Sequence, residues 1–364
     1  MKTQLLYFFT LILSFNILYG QSNQEKAKEL GYEAVIIMDK GNIQKSIELL
    51  EEAQKLDPEN YLYPYEIAVA YTRNKEYKKS LAILEDVIKR PNIEALVYQL
   101  MGNNYSLLGD RESAIKTYEK GLEYFPNAGG LYLERGTVEA LQKNYEEALT
   151  FYEKGIEVDP DFPSNYFKAA VIYFNSNTPN WGIIYGEIFM NLERGSSRTE
   201  EMSYWLYIAY EEKIQVDDES VTLSLTNFAG TKKGDDIEVD PIVAYHKAFE
   251  FSLGLVGATE VVKTKKSKRR IDLAMLHRIR RSFLETFAEV DTFQVPNPIL
   301  DYQRKVQKIG HLEAYNYWVL SQGDMDSFED WLRKNEKKFD AFIEWFAENP
   351  LEMTTENVFS PSKL

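Results

Sequence analysis

The sequence predicts an all-α protein: a right-handed solenoid of paired helices over residues 27–196, followed by a mostly helical C-terminal domain, 197–364, with a small β element. Three observations predict this. Four segments close alike, "EEAQKLDPEN" (51–60), "EDVIKRPN" (85–92), "EKGLEYFPN" (119–127) and "EKGIEVDPD" (153–161). Their prolines keep time: the interval from Pro58 to Pro126 is twice that from Pro126 to Pro160, and Pro91 falls just short of the midpoint. A fixed period of a few tens of residues is the mark of stacked supersecondary units. Finally, only "SVTLSLTNF" (220–228) alternates with the two-residue period of a strand.

The first twenty residues differ from all that follows. "MKTQLLYFFTLILSFNILYG" has a basic start at Lys2, an apolar run from Leu5 to Tyr19, and then the small residues Gly20 and Ser22 before charged sequence. That is the layout of a secretory signal peptide. The run includes Asn16 and is shorter than the roughly 20 residues that span a bilayer. Cleavage after Gly20 or Ser22 is expected, with an uncleaved anchor as the alternative. The mature protein is then expected to be exported, periplasmic or secreted, with no transmembrane segment.

Each repeat places residues for a physical reason. The third (95–128) gives Tyr98, Gly102, Tyr105, Gly109-Asp110, Ala114, Tyr118, Gly121 and Pro126. The fourth (129–162) gives Tyr132, Gly136, Ala148, Tyr152, Gly155 and Pro160, with Glu139 where an aromatic would stand. Ala34, Gly41, Ser46, Ala53 and Pro58 mark the first (27–60), and Ala68, Tyr71 and Ser80 mark the second (61–92). Small residues let two helices approach closely, aromatics fill the ridge between pairs, and Gly-Asp makes a tight turn. This pattern resembles the tetratricopeptide repeat family, and with the leader peptide it is similar to exported repeat proteins of Bacteroidota-type bacteria.

A fifth unit (163–196) starts well with Tyr166, Ala169, Ala170 and Tyr173, but in "TPNWGIIYGEIFMNLERG" (178–195) Pro179 and Trp181 are expected in the turn, and the second helix is apolar on most sides and so expected to be buried. After Gly195 the period is lost. A helix is expected over 199–214, a loop over 229–236, and a helix from Asp240-Pro241 to about Leu253. Ile271, Met275, Ile279, Phe283 and Phe287 form an apolar stripe, from which Arg278, Arg280 and Arg281 fall off. Another helix is expected from Asn297-Pro298 to about Gln322. A last one is expected after a capping box at Ser327–Asp330, with Phe328, Trp331, Phe339, Phe342 and Phe346 on one face.

Chemistry-bearing constellations are missing from the sequence. Cysteine is absent, which excludes disulfides, thiolate nucleophiles and thiolate metal sites. His246, His277 and His311 lie far apart, so no helix presents two histidines to a metal. The run from Gly230 to Gly234 lacks the spacing of a phosphate loop. "DMDSFED" (324–330) lacks the Gly and Glu that a calcium loop needs, and helix capping accounts for its acids. The expectation is a non-enzymatic protein without cofactor. "KTKKSKRRIDLAMLHRIRR" (263–281) holds nine Lys/Arg against one acid in a chain of net charge −15. Export argues against nucleic acid as its partner; Lys263–Arg281 is read as a solvated lead-in to the helix that follows, with the acidic repeats themselves or an anionic lipid or glycan surface as the alternative contacts.

What the resemblance implies about function is a concave face lined by the first helix of each repeat. Its positions here are Tyr65, Val69, Arg73, Gln99, Asn103, Leu133, Thr137, Phe167 and Val171, a groove of aromatic and amide groups able to hold a peptide. The family's carboxylate clamp is not matched. Gly31 and Val35 replace its Lys and Asn, Leu96 or Gly130 stands where a second Lys belongs, and Asn103 alone fits. The expected function is therefore an exported scaffold that binds a protein or peptide of the cell envelope. The alternative is a binding protein for a small ligand or glycan, held between solenoid and C-terminal domain near Trp181, Trp205, Trp318, Trp331 and Trp345.

Overall fold

The computed structural model describes residues 23–216, 221–223, 232–233, 236–237, 254, 271–290 and 297–363. The leader peptide, the expected helix after Asp240-Pro241, His246 and the basic run 263–270 lie outside them. The described part is almost wholly helical. It divides in sequence after Val138 into two compact units.

The first unit holds α1 (23–39), α2 (Ile43–Leu56), α3 (Leu62–Arg73), α4 (Tyr77–Val87), α5 (Ala95–Leu107), α6 (Arg111–Tyr124) and most of α7 (Gly129–Leu141). Its core is a chain of three clusters. Ala34, Leu50 and Tyr63 join α1 to α3; Ala68, Leu84 and Val97 join α3 to α5; Tyr98, Tyr118 and Leu131 join α5 to α7. No pair of helices buries its apolar face alone, and each borrows from the next. The small positions work as expected, since a Cβ on Gly102 would fall 2.2 Å from Cε1 of Tyr118. One on Gly121 would fall 2.8 Å from Cβ of Tyr98. Asp110 caps α6, accepting from the Ser113 backbone N–H at 3.1 Å and from its hydroxyl at 2.7 Å. A buried polar tie also links two repeats: the Asn104 amide donates to Ser80 Oγ at 2.9 Å, and the Thr72 hydroxyl lies 2.9 Å from both.

The backbone keeps the period even where the sequence does not. Left-handed φ values recur at Gly41 (+87°), Lys75 (+61°), Gly109 (+80°) and Lys143 (+66°), each one full repeat after the last. The turn demands that conformation, and lysine adopts it at a cost of roughly 1 kcal/mol where glycine does so freely.

The second unit holds α8 (Tyr145–Val158), α9 (Pro163–Phe174), α10 (Pro179–Leu192) and α11 (Ser197–Lys213). Beyond the short β pairs come α12 (Leu273–Val290), α13 (Pro298–Lys308), α14 (Leu312–Leu320) and α15 (Met325–Glu348). Residues Asn180–Asn191 of α10 are buried throughout, as its apolar composition predicts, but Pro179 and Trp181 belong to the helix and not to the turn before it, Pro179 taking a first-turn position where no backbone N–H is needed. Helix α11 starts one full period after α9, so the structural repeat outlasts the sequence signature by one helix. Of the strand expected over 220–228, Val221–Leu223 (β2) pairs antiparallel with β1 (Ile214–Val216), and the rest lies outside the described residues. Within the expected loop, Lys232–Lys233 pairs with Asp236–Ile237.

Three further sequence expectations need correction. The single helix foreseen from Asn297 to Gln322 is two helices, parted at Gly310, whose φ of +83° ends α13. The last helix begins earlier than its supposed capping box, because Asp324 accepts from the Ser327 N–H (3.3 Å) and Oγ (2.7 Å) and Met325 becomes the first helical residue. And Arg280 does not fall off the apolar stripe. It is 2% exposed, beside Ile271, Met275, Ile279, Phe283 and Phe287, which are all buried.

Arg280 is inside because Glu187 of α10, 2% exposed, is there to meet it. Its guanidinium grips the carboxylate in a fork, at 3.0 Å and 2.6 Å. It also donates to Tyr210 Oη at 2.9 Å and to Asn316 Oδ1 at 2.7 Å. Gln303 and the Tyr315 hydroxyl donate to the same Glu187 oxygen. Burial works against the charge on Arg280, but Glu187 and Tyr210 outweigh it and keep the group protonated. The pair thus locks α10, α11, α12, α13 and α14 around one satisfied polar centre.

Candidate functional site

The nine positions of the expected concave face fall seven in the first unit and two in the second. In the first, Tyr65, Val69, Gln99, Asn103, Leu133 and Thr137 are half-buried and Arg73 is exposed. Tyr65 packs on the α3–α5 cluster and Val69 on the α1–α3 cluster. Arg73 pairs with Asp39 at 2.6 Å, the residue one full period earlier in the chain. Gln99 and Asn103 donate their amides to Glu134 Oε1 at 3.0 Å and 3.3 Å, and Tyr118 donates to Asn103 Oδ1 at 2.5 Å. The one residue that matched the carboxylate clamp is therefore committed to neighbours on α6 and α7. In the second unit Phe167 is 7% exposed, its ring 5.0 Å from that of Phe189. Val171 is half-buried.

The first unit also holds a cavity at its beginning. A cavity of about 390 Å³ opens between α1, α2 and the start of α3, lined by Lys28, Gly31, Tyr32, Val35, Leu62 and Glu66 among others. Its rim is apolar and exposed: Tyr32 is 63% and Leu62 43% accessible, and Ile36 nearby on α1 is 55% accessible. Gly31 leaves it room, since a Cβ there would sit 3.1 Å from Tyr63 Cε1. At its floor Glu66 is half-buried, and burial raises its carboxyl above the usual range, with Arg73 opposing and Asp39 adding to the rise. Tyr65 beside it is pushed up to about 12 by burial and by the charges of Glu66, Tyr61 and Glu94. The floor is thus a poorly solvated acid beneath an apolar rim, suited to an apolar side chain flanked by a hydrogen-bond donor or a cation.

Sequence reasoning came within one residue of this cavity. Gly31 and Val35 fail as clamp positions, yet both line it. Leu62 and Glu66, also on its wall, are neighbours of the residues chosen on α3. The signal available was an unpaired apolar rim, Tyr32 with Leu62, which a repeat-position template does not weigh.

Of the five tryptophans, Trp181 and Trp331 are buried and Trp205, Trp318 and Trp345 half-buried. Trp181 is 1% exposed, the Trp331 ring stacks on Tyr317 at 4.4 Å, and Trp318 meets Phe346 edge-on at 4.8 Å. His277 Nδ1 accepts from the Asn316 amide nitrogen at 3.0 Å, and burial lowers its pKa to about 4. His311 lies 5.9 Å from the Trp345 ring, and burial lowers it too. Among the described residues no helix is long and apolar enough to cross a membrane.

One further acid is perturbed. Glu153 on α8 accepts from the Tyr173 hydroxyl at 2.5 Å, and burial raises its carboxyl to about 7 from an ordinary 4.5. The folded protein therefore holds a proton that the unfolded chain gives up between those values, so the contribution of Glu153 to stability falls as pH rises from 4.5 to 7. Glu153→Gln keeps the acceptor oxygen and removes the charge. It is expected to stabilise the protein at pH 8 by on the order of 2 kcal/mol, with the gain shrinking to nothing in acid; thermal melts across the range measure it.

Comparison with known proteins agrees with the helical repeats. Residues 37–92 and 95–127 match family models described as tetratricopeptide repeat, and residues 136–177 match one described as TPR repeat. A TPR repeat-containing protein of Methanocaldococcus jannaschii is 32% identical over 84 residues, 23% of this chain and 26% of that one. The chain thus matches about a quarter of that relative's length. Among solved structures, a thermophilic TPR protein of Thermus thermophilus is 16% identical, covering 50% of this chain and 98% of that one with a TM-score of 0.43. PilF of Pseudomonas aeruginosa is 16% identical over 52% and 86%, with a TM-score of 0.43. MamA is 18% identical over 42% and 89%, with a TM-score of 0.34.

Proposed function

We propose, from the premise that this chain is a tetratricopeptide repeat protein over residues 37–177, that it is a non-enzymatic scaffold whose first unit binds a peptide segment of a partner protein. The observation that carries the reading is the cavity between α1 and α3. An apolar side chain of the partner seats against Tyr32, Val35 and Leu62, and a neighbouring amide or basic group donates to Glu66. The segment continues in extended form past Tyr65. The leader-like sequence of residues 1–20 supports export to the periplasm or beyond, and with it a partner in the cell envelope.

Affinity capture from an envelope fraction tests this. Wild-type protein is expected to retain a protein partner, and Leu62→Asp is expected to weaken its binding at least tenfold, about 1.4 kcal/mol. Leu62 is 43% exposed, so the fold should tolerate the change. Retention of a small metabolite or glycan but no protein would overturn the reading, as would a partner held equally well by L62D.

A further inference from the structure

Residues 351–363 behave as a ligand of their own fold. After Pro350, residues 351–360 form neither helix nor strand, and Pro361–Lys363 is a single 3₁₀ turn. Yet Leu351, Met353, Val358, Phe359 and Ser360 are all buried, Phe359 and Ser360 completely. The loop at its start is closed upon itself: Asn357 accepts from the Thr354 N–H at 2.7 Å and donates to the Glu352 carbonyl at 2.9 Å. Lys363 reaches back to the Thr355 carbonyl at 3.1 Å. The tail thus carries hydrogen bonds of its own while its apolar side chains are covered by the rest of the fold.

Its attachment is narrow and chemically specific. The Phe359 ring lies 5.0 Å from Trp181 of α10, inclined at 35°. Trp181 in turn leans on Tyr185 and Tyr173, at 5.3 Å and 6.3 Å, making an aromatic floor. Beside it, Ser360 and Ser362 both donate to one oxygen of Glu157 on α8, Ser360 at 3.4 Å, and their own hydroxyls lie 2.8 Å apart. Burial raises the Glu157 carboxyl, but the Ser362, Lys154 and Ser360 hydrogen bonds more than reverse this and hold it ionised. An aromatic anchor in a pocket with a hydroxyl pair on a carboxylate beside it is how a short peptide is recognised.

We propose that the α8–α10 face is a peptide-binding site in its own right, and that the C-terminal segment Phe359-Ser360-Pro361-Ser362 is its ligand, bound in cis. The site is separate from the cavity of the first unit and does not depend on it. Phe359 supplies the anchor, Glu157 reads the two serines, and Pro361 fixes the backbone between them with no N–H to satisfy. A tail so held can leave as a unit and uncover Trp181.

The experiment uses the full-length chain and a fluorescently labelled synthetic peptide of residues 351–364. Wild-type protein, its site filled, is expected to bind little peptide. The full-length Phe359→Ala variant should bind it at least tenfold more tightly, and a peptide carrying the same F359A change should bind neither protein. An F359A protein with wild-type circular dichroism that binds no more peptide than wild type overturns the proposal. A second variant covers the case in which F359A loses its fold. Ser362→Glu sets a carboxylate against Glu157 at the exposed edge, and should speed amide exchange across 351–363 at least tenfold, reversed by Glu157→Lys. Unfolding of F359A together with unchanged exchange in S362E would make the tail an inseparable part of the core and also overturn the proposal.

Discussion

Arg280→Ala is expected to destabilise the protein by about 3–5 kcal/mol, the range for removing one partner of a buried ion pair. The loss comes less from the bonds removed than from what stays behind. Glu187, 2% exposed in the intact protein, would keep only Gln303 and Tyr315 to meet its side chain. Tyr210 and Asn316 would each lose a donor as well. Denaturant titration of the full chain measures the shift in midpoint. Arg280→Lys should fall between, because a lysine supplies the charge but not the fork that spans both oxygens. The double change Glu187→Leu with Arg280→Met should recover most of the loss, since an apolar pair of similar bulk leaves no stranded charge. A single R280A variant as stable as wild type would show that the pair does not organise this unit.

Gly323→Ala is expected to cost about 3 kcal/mol, the upper part of the usual range for overpacking. The added Cβ would lie 2.0 Å from Cγ and 2.2 Å from Cβ of Tyr207. A side chain can swing its far end away from an intruder, but its Cβ moves only with the backbone. Tyr207 cannot yield by rotation either, being fully buried with its hydroxyl 2.5 Å from the Ile271 carbonyl. Gly310→Ala is the control. Its φ of +83° strains any side chain, yet nothing lies within 4 Å of the new atom, so only about 1 kcal/mol of backbone strain is expected. Thermal melts that rank G323A no worse than G310A would contradict the close approach of α11 to this turn.

These two residues also mark how far the sequence could be read. The repeats were legible because their packing is local and periodic. Gly102 must be small wherever Tyr118 faces it from the next helix, and Asp110 must cap wherever Gly109 turns, whatever the rest of the chain does. Glu187 and Arg280 stand far apart in the chain, and no period relates them. Taken locally, the arginine looks like the polar edge of an amphipathic helix and the glutamate like an oddity in an apolar one. Only their meeting explains both. Gly323 was legible as the end of a helix but not as the seat of Tyr207, for the same reason. The break at Gly310 was overlooked because apolar residues continue on both sides of it, and hydrophobic spacing does not register one residue of reversed handedness. As for the candidate site, the template for concave positions selected residues that mostly pack or bond among themselves, while the open cavity sits one residue to the side.

The left-handed turns at Gly41, Lys75, Gly109 and Lys143 make the chain spliceable. A cut at two of them removes a whole number of helix pairs, and the joined ends share the same backbone conformation. Gene rearrangements at these joints can lengthen or shorten the array without creating a misfit, whereas a loss of any other length would set every later small residue against the wrong neighbour. Two lysines hold the same geometry here as two glycines, so the shape of the joint is what the array requires, and the amino acid occupying it is negotiable.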